Sequence, residues 1–198
     1  MADEIRLQFS TTVSSWTWRP PFLTNWASIA IRRFCHSAYS HVDFCLPDGS
    51  MLGASDSADA PVIAGNPRGV AIRPAQYEIY GRKCMAILKT DKASAVIGLA
   101  MAQLGKPFDN STLHGFLSDR PGNRNWRSEA AWACSELCAY CLEQAGFFPY
   151  KLISAKNRIT PADLLLLLNG SMTEDSIEQF NRIEDLRGLQ KGILSSQK

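Results

Sequence analysis

The sequence lacks a strong excess of charge of either sign. Its 21 basic and 19 acidic residues give a formal net charge of +2 at pH 7. Arg32 and Arg33 form only a pair, and the other basic residues are scattered, so no basic patch is predicted. We therefore expect neither nucleic acid binding nor attraction to an anionic membrane surface.

Long apolar segments are lacking as well. The apolar run Leu164–Leu168 has five residues, whereas a helix that spans a membrane needs about 20. The first residues, Met1–Ile5, are acidic where a secretory signal would be basic, and no apolar segment follows them. These features predict a cytoplasmic protein, or one associated with a phage, without stable insertion in a membrane.

The pattern of a metal site is also missing. Six cysteines are unevenly spaced, at positions 35, 45, 84, 134, 138 and 141, and no CxxC pair faces a second cysteine cluster. The three histidines, His36, His41 and His114, are dispersed. We expect free thiols in a reducing compartment, with no metal and no cofactor. His36 and His114 are interpreted as surface residues.

The composition that is present, 45% hydrophobic and 20% charged, is typical of a globular protein with a core. Apolar–polar alternation and turn signals predict strands at Ile5–Phe9, Tyr39–Leu46, Met51–Ala54, Val70–Ile72 and Lys83–Lys89. Helices are predicted at Asn25–Phe34, Ala93–Leu104, Ala130–Ala145, from Thr160 onward, and at Thr173–Leu189. The predicted fold class is α+β, an antiparallel sheet packed against helices. We predict one domain over residues 1–170 and a C-terminal helical extension over residues 171–198.

Cys134 is the first candidate for catalysis because it lies near the start of a predicted helix. The free backbone N–H groups and partial positive charge at a helix start favour a thiolate and can hold an oxyanion. The alternative is that of most free cysteines, a small buried apolar side chain. Cys138 and Cys141 share a helix face with Cys134, at spacings i, i+4 and i+7, and are expected to pack in the core.

His41 supplies a candidate base for that thiol. The period of the predicted strand places Val42 and Phe44 on the core face, and His41 and Asp43 on the opposite face. A catalytic base needs a second surface packed over it, and the helix of Cys134 is the natural candidate. The alternative interpretation is a satisfied His–Asp pair at the surface.

Several blocks of sequence follow one another in a characteristic order. They are Tyr39–Val42, the turn Pro47–Gly49, Gly105–Asp109, Cys134–Leu137 and Thr160–Asp163. Their order and spacing, over roughly residues 5–168, resemble the circularly permuted NlpC-type papain-like family of cysteine peptidases and amidases. The resemblance implies a papain-like fold in which the histidine strand precedes the cysteine helix. It also implies that Cys134 is the nucleophile and His41 the general base.

One position departs from that family. The family places a third polar residue, His or Glu, on the strand after the histidine strand, and the matching position here is Gly53. Such a partner fixes the tautomer of a catalytic histidine and stabilises its charged form, so a substitute is expected. A three-residue loop at Pro47–Gly49 would set Asp43 opposite Gly53 and His41 opposite Ser55. We predict that Asp43 takes the third role.

Other partners for the histidine stay open. A two-residue Asp-Gly loop would change the register and place Asp56 opposite His41 instead. Ser55 is opposite His41 in the favoured register. A solvated Asp43 without any role is the remaining alternative.

Two aromatic residues are candidates for substrate or oxyanion contacts. Tyr39 lies two residues before His41, on the same predicted strand face, and its hydroxyl could help to bind a carbonyl oxygen. Trp132, like Trp126, could line the substrate cleft. Packing in the core is the alternative for all three aromatic side chains.

These residues together predict a thiol hydrolase, a cysteine peptidase or amidase, that acts on an amide or ester bond of a peptide or acyl substrate. The resemblance implies cell-wall peptides as one substrate class, and a lipid acyl hydrolase or acyltransferase on the same scaffold as an alternative. A rival from another class is a non-catalytic phage or structural binding module. The absence of the third polar residue at Gly53 favours this alternative. The sequence does not indicate an oligomeric state.

Overall fold

The computed structural model of the chain describes residues 4–12, 38–57, 60–78, 80–110, 130–149 and 159–180. Within these residues the fold is α+β, an open antiparallel sheet of seven strands with three helices. The strands are β1 (Glu4–Thr12), β2 (His41–Cys45), β3 (Met51–Ser55), β4 (Ala64–Gly65), β5 (Gly69–Arg73), β6 (Tyr80–Lys89) and β7 (Ile177–Phe180). The helices are α1 (Ala93–Met101), α2 (Cys134–Gln144) and α3 (Pro161–Leu168), and a 3₁₀ turn, Asn169–Ser171, follows α3.

The strands lie in the order β4-β5-β3-β2-β1-β6-β7, and every pair is antiparallel. β2 is therefore an interior strand, bonded to β1 on one side and to β3 on the other. Because backbone hydrogen bonds hold β2 on both edges, the backbone positions of its side chains are fixed.

The main core lies between one face of the sheet and the three helices. It joins Phe9 of β1 and Phe44 of β2 to Val96 of α1, Leu137 of α2 and Leu164 of α3, and all five side chains are fully buried. Burial of an apolar side chain of this size stabilises the fold by about 2 kcal/mol. The apolar face of β2 thus packs in the core, as the strand period predicts, and its other face carries polar side chains.

The hairpin between β2 and β3 has the predicted three-residue loop. Phe44 pairs with Leu52, and the N–H of Leu46 donates to the carbonyl of Ser50 at 2.8 Å. Gly49 has a φ of 83°, the left-handed conformation that the last residue of such a loop requires. The register of the hairpin is therefore the one that the turn chemistry predicts.

Continued along the strands, this register sets Asp43 opposite Gly53. A β-carbon at position 53 would lie 1.8 Å from Oδ1 of Asp43, so the side chain of Asp43 occupies the space that any larger residue would need. The alternative two-residue loop, which would place Asp56 opposite His41, is wrong.

Helix boundaries in the second half of the chain differ from the prediction. α2 begins at Cys134 and not at Ala130, because the backbone of Trp132 pairs with an extended segment instead of entering the helix. The helix predicted over Thr173–Leu189 is wrong in its described part, where β7 pairs with β6. The sequence of β7 is Ile-Glu-Gln-Phe, and its pairing with the sheet outweighs the helix propensity of its Glu and Gln.

Some further predictions cannot be compared with the structure. The remainder of that predicted helix, after residue 180, lies outside the described residues, as does the helix predicted at Asn25–Phe34. The division of the chain at residue 170 stays a prediction. No helix in the described ranges is long and apolar enough to cross a membrane.

Candidate functional site

An extended segment, residues 106–109, holds the residues that precede Cys134 at the start of α2. The N–H of Trp132 donates to the carbonyl of Pro107 at 3.0 Å, and the N–H of Asp109 donates to the carbonyl of Trp132 at 3.1 Å. Ala133 is the N-cap, with extended φ and ψ of −84° and 160° and no side-chain cap. Cys134 is therefore the first helical residue, where backbone N–H groups lack an acceptor within the helix.

The extended segment is itself attached to the sheet. The N–H of Val70 donates to the carbonyl of Lys106 at 2.8 Å, and the N–H of Phe108 donates to the carbonyl of Arg68 at 3.0 Å. A β-carbon on Gly69 would lie 2.0 Å from the Lys106 carbonyl oxygen, so this close approach requires glycine. The position of the Cys134 sulfur is thus set by β5 as well as by α2.

A second attachment joins the first turn of α2 to the start of α3. The hydroxyl of Ser135 is buried and donates to the carbonyl of Ile159 at 2.6 Å. The next residue, Thr160, is the N-cap of α3 and forms a capping box with Asp163. The first turn of α2 is therefore attached on two sides, to the segment at residues 106–109 and to the capped start of α3.

His41 interacts with both a carboxylate and a thiol. It is the first residue of β2, 8% exposed, and Cys134 is one of the groups that raise its pKa. Its Nε2 atom lies 2.9 Å from Oδ2 of Asp43 and 2.8 Å from the hydroxyl oxygen of Tyr77. Because Nε2 is engaged by these two oxygen atoms, Nδ1 is the ring nitrogen that is left to interact with a thiol.

The charges of the site support one another. Burial alone would lower the pKa of His41, but Asp43 and Cys134 hold it well above its usual value. Burial alone would raise the pKa of Asp43, but His41, Tyr77 and Arg73 hold it below its usual value. At neutral pH the site therefore favours a protonated His41 imidazolium beside the ionised carboxylate of Asp43.

Of the three residues considered as partners of His41, Asp43 is the one that contacts the ring. Ser55 is buried, and its hydroxyl oxygen accepts the backbone N–H of Ser57 at 3.1 Å. Asp56 is exposed. The geometry thus places Asp43 where a third catalytic residue would be, although its catalytic role stays a prediction.

Tyr77 is a site residue that the sequence did not indicate. It follows β5 in an irregular loop, is 7% exposed, and donates its hydroxyl proton to Oδ2 of Asp43 at 2.5 Å. The two residues are 34 positions apart in the sequence. No strand period, turn signal or short motif links a loop tyrosine to a strand aspartate at that distance.

Arg73, at the end of β5, is also new and is fully buried. Its guanidinium donates to the carbonyls of Gly53 and Gly69 at 3.0 and 3.1 Å. Its Cζ atom lies 5.4 Å from the centre of the Tyr77 ring. A buried positive charge is costly unless anions or dipoles surround it, and here it lowers the pKa of Asp43. An arginine at a strand end carries no sequence signal of this role.

The other cysteines of α2 behave as packing residues. Cys138 and Cys141 are fully buried in the main core, as predicted. Burial and neighbouring groups raise the pKa of Cys138 well above its usual value, and burial raises the pKa of Cys141 to about 12. Neither thiol is suited to act as a nucleophile at neutral pH.

The two aromatic candidates are also in the core. The ring of Tyr39 packs 6.1 Å from that of Phe9, which supports the packing alternative for this ring. Trp132 is 1% exposed, and its indole N–H donates to Oε1 of Gln103 at 3.1 Å. Trp132 therefore braces the start of α2, which supports the packing alternative, and a contact with substrate stays a prediction.

Some predicted positions fall elsewhere. His36, His114 and Trp126 lie outside the described residues. Among the residues that the structure does describe, no group of three or more His, Cys, Asp or Glu side chains could hold a metal ion. The site is therefore described by its thiol, imidazole, carboxylate and phenol groups.

Comparison with known proteins does not assign the chain to a family. It matches no protein-family model, and a search of curated proteins finds no match. The papain-like resemblance accordingly stays a prediction, and the function must be argued from the chemistry of the site.

Proposed function

We propose that the protein is a thiol hydrolase, of the cysteine peptidase or amidase kind, with Cys134 as nucleophile, His41 as acid and base, and Asp43 as the partner of His41. The observation that carries the proposal is the buried His41 ring, which contacts the Asp43 carboxylate at 2.9 Å and whose pKa is raised by both Asp43 and Cys134. A nucleophile, a base and an orienting group in this arrangement form the general pattern of covalent acyl transfer.

In the first half of the reaction the Cys134 thiolate attacks the carbonyl carbon of an amide or ester. Negative charge then develops on the carbonyl oxygen, and backbone N–H groups in the first turn of α2 are placed to stabilise it. The imidazolium of His41 donates its proton to the leaving nitrogen or oxygen as the carbon–heteroatom bond breaks. An acyl-thioester on Cys134 and a free amine or alcohol result.

In the second half a water molecule attacks the thioester. His41, now neutral, takes a proton from the water as the new carbon–oxygen bond forms. The carbon–sulfur bond then breaks, which releases a carboxylic acid and restores the thiolate–imidazolium pair. Asp43 remains ionised throughout and stabilises the imidazolium each time that it forms.

A peptide substrate is the version of this proposal that the resemblance suggests, and a cell-wall peptide is one candidate. The layout of the site supports a papain-like scheme in three respects. The nucleophile is the first residue of a helix, the base is the first residue of a strand, and the base meets the acid through its far ring nitrogen.

The proposal is tested by trapping the acyl-enzyme. The protein is mixed with p-nitrophenyl acetate, the release of nitrophenol is followed, and the acetylated residue is located by mass spectrometry. The acetyl group should lie on Cys134, and Cys134→Ala should lower the rate by about 10⁴-fold. Cys138→Ala, on the same helix, is the matched control and should keep most of the rate.

Two results would contradict the proposal. One is a Cys134→Ala variant that turns over as fast as wild type. The other is a folded wild-type protein whose thiols all react slowly and alike, which would favour a non-catalytic binding module on the same scaffold.

A further inference from the structure

The hydroxyl of Tyr77 forms a closed triangle with His41 and Asp43. Its oxygen lies 2.5 Å from Oδ2 of Asp43 and 2.8 Å from Nε2 of His41, and these last two atoms are 2.9 Å apart. All three side chains are buried. Three polar atoms at mutual hydrogen-bond distance inside the protein constrain which atom carries each proton.

The proton positions follow from the chemistry of the three groups. Ionised Asp43 can only accept, so the phenolic proton of Tyr77 points at Oδ2. The Tyr77 oxygen can then accept through a lone pair, and the N–H at Nε2 of His41 has two acceptors within hydrogen-bond distance. This arrangement holds the proton of His41 on Nε2 and leaves Nδ1 for the exchange of protons with the sulfur.

We propose that Tyr77 is a positioning residue of the site, which keeps Asp43 ionised and the His41 ring aligned by donating to the carboxylate and accepting from Nε2. This inference rests on the proposed function, because Tyr77 would act through Asp43 and His41 and would not touch the substrate. It adds a fourth member to the proposed triad, supplied by the loop after β5.

Arg73 fixes the Tyr77 ring in turn. Its guanidinium lies 5.4 Å from the ring centre, within the range of a cation–π contact, and is itself held by the Gly53 and Gly69 carbonyls. The carbonyl of Gly53 belongs to the residue over which Asp43 packs. The carboxylate, the phenol and the guanidinium therefore share one support, and the phenol cannot turn away without disturbing its neighbours.

The charge state of Asp43 is the property that Tyr77 should control. Besides Tyr77, the groups that act on Asp43 or respond to it are His41 and Cys45 on its own strand, Arg73 on β5 and Cys138 on α2. His41 and Arg73 lower the pKa of Asp43, as the Tyr77 hydrogen bond does. Loss of the Tyr77 hydroxyl alone should therefore raise that pKa while the other two groups still act.

The experiment follows the Asp43 carboxyl carbon by ¹³C NMR during a pH titration, with Asp43→Asn used to assign the resonance. In the wild type, Asp43 should stay ionised down to a pH below the usual pKa of an aspartate. Tyr77→Phe, which keeps the ring on Arg73, should move the midpoint upward by about one pH unit, the size of one hydrogen bond. It should also slow acetylation of Cys134 by about tenfold.

Tyr140→Phe is the matched control, because Tyr140, which is in α2, packs its ring on Trp132 and is not among the groups that shift the pKa of Asp43. It should leave the Asp43 midpoint unchanged. A midpoint in Tyr77→Phe equal to that of the wild type would overturn the inference. A purely structural tyrosine could slow acetylation by loosening the loop, but it would not move the charge of Asp43.

If Tyr77→Phe does not fold, Tyr77 can be replaced by 4-aminophenylalanine, which keeps a donor at the same position but a weaker one. The midpoint should then rise by a smaller amount, and no rise would overturn the inference. The outcomes separate from those of the proposed function. Absence of acetyl-Cys134 in the wild type refutes the thiol hydrolase, whereas normal acetylation with an unmoved Asp43 midpoint refutes only the role of Tyr77.

Discussion

Cys134 in the first turn of α2 and Cys141 two turns later lie on the same side of one helix, yet they meet different surroundings. Cys134 interacts electrostatically with the His41 imidazole and helps to raise its pKa, whereas burial raises the pKa of Cys141 itself to about 12. Cys138, between them, is buried in the same way as Cys141. The comparison shows that residue type and helix face do not determine thiol chemistry. The chemistry of each thiol is expected to depend on the group that packs against it, which is the His41 imidazole for Cys134 and apolar side chains for Cys141.

The same contrast holds on β2. Val42 and Phe44 point into the core, and the two residues interleaved with them, His41 and Asp43, form an ion pair on the other side. One short strand therefore contributes both to stability and to the candidate chemistry. The burial of Val42 and Phe44 anchors the backbone on which the pair depends.

Alkylation should show the largest difference between the two parts of α2. With a pKa of about 12, about one Cys141 thiol in 10⁵ is ionised at pH 7. Iodoacetamide should label Cys134 at least about 10³ times faster than Cys141 in the native protein, measured by mass spectrometry of peptides. In His41→Gln the rate at Cys134 should fall toward that of Cys141. Equal alkylation rates for Cys134 and Cys141 in the wild type would contradict the expected difference in reactivity between the two thiols.

Asp43 and Asp56 offer the next largest contrast. Asp43→Ala leaves the buried His41 without its counter-charge, so the pKa of His41 should fall and acetylation of Cys134 should slow by about 10²-fold or more. Asp56 is exposed, and Asp56→Ala should change the rate by less than about twofold. Acetylation rates of both variants at pH 7 decide the point. A larger loss for Asp56→Ala would refute the assignment of Asp43.

The packing beneath Asp43 should give the smallest of the three effects. Gly53→Ala would place a β-carbon 1.8 Å from Oδ1 of Asp43, so the carboxylate or the strand must shift, at a cost of about 1–3 kcal/mol in the free energy of unfolding. Gly98→Ala, in α1, meets no atom within 4 Å and should stabilise the protein by up to about 1 kcal/mol. Urea unfolding curves measure both changes. A Gly53→Ala variant as stable and as active as the wild type would contradict this packing.

Much of the site could be predicted because it depends on local rules. The period of a strand put His41 and Asp43 on one face, and the chemistry of the Pro47–Gly49 loop set the hairpin register that brings Asp43 over Gly53. Both features are decided by residues that are close in the sequence.

The features that were missed depend on contacts between distant segments. Tyr77 and Arg73 reach Asp43 only because β5 pairs with β3, and their own sequence surroundings carry no sign of that contact. α2 starts later than its composition suggests, since the Trp132 backbone bonds to Pro107 and Asp109. Tertiary pairing of this kind overrides local propensity.

His41 and its partner are two positions apart on one strand, whereas the thiol that they serve is 93 positions further along the chain. Contacts that are close in sequence have a small loop-closure entropy, and distant ones form late in folding. The acid–base pair can therefore take shape as soon as the first hairpin forms. The nucleophile joins it only when α2 docks on the sheet, so a chain that is partly folded or still being synthesised holds the base without a poised thiol.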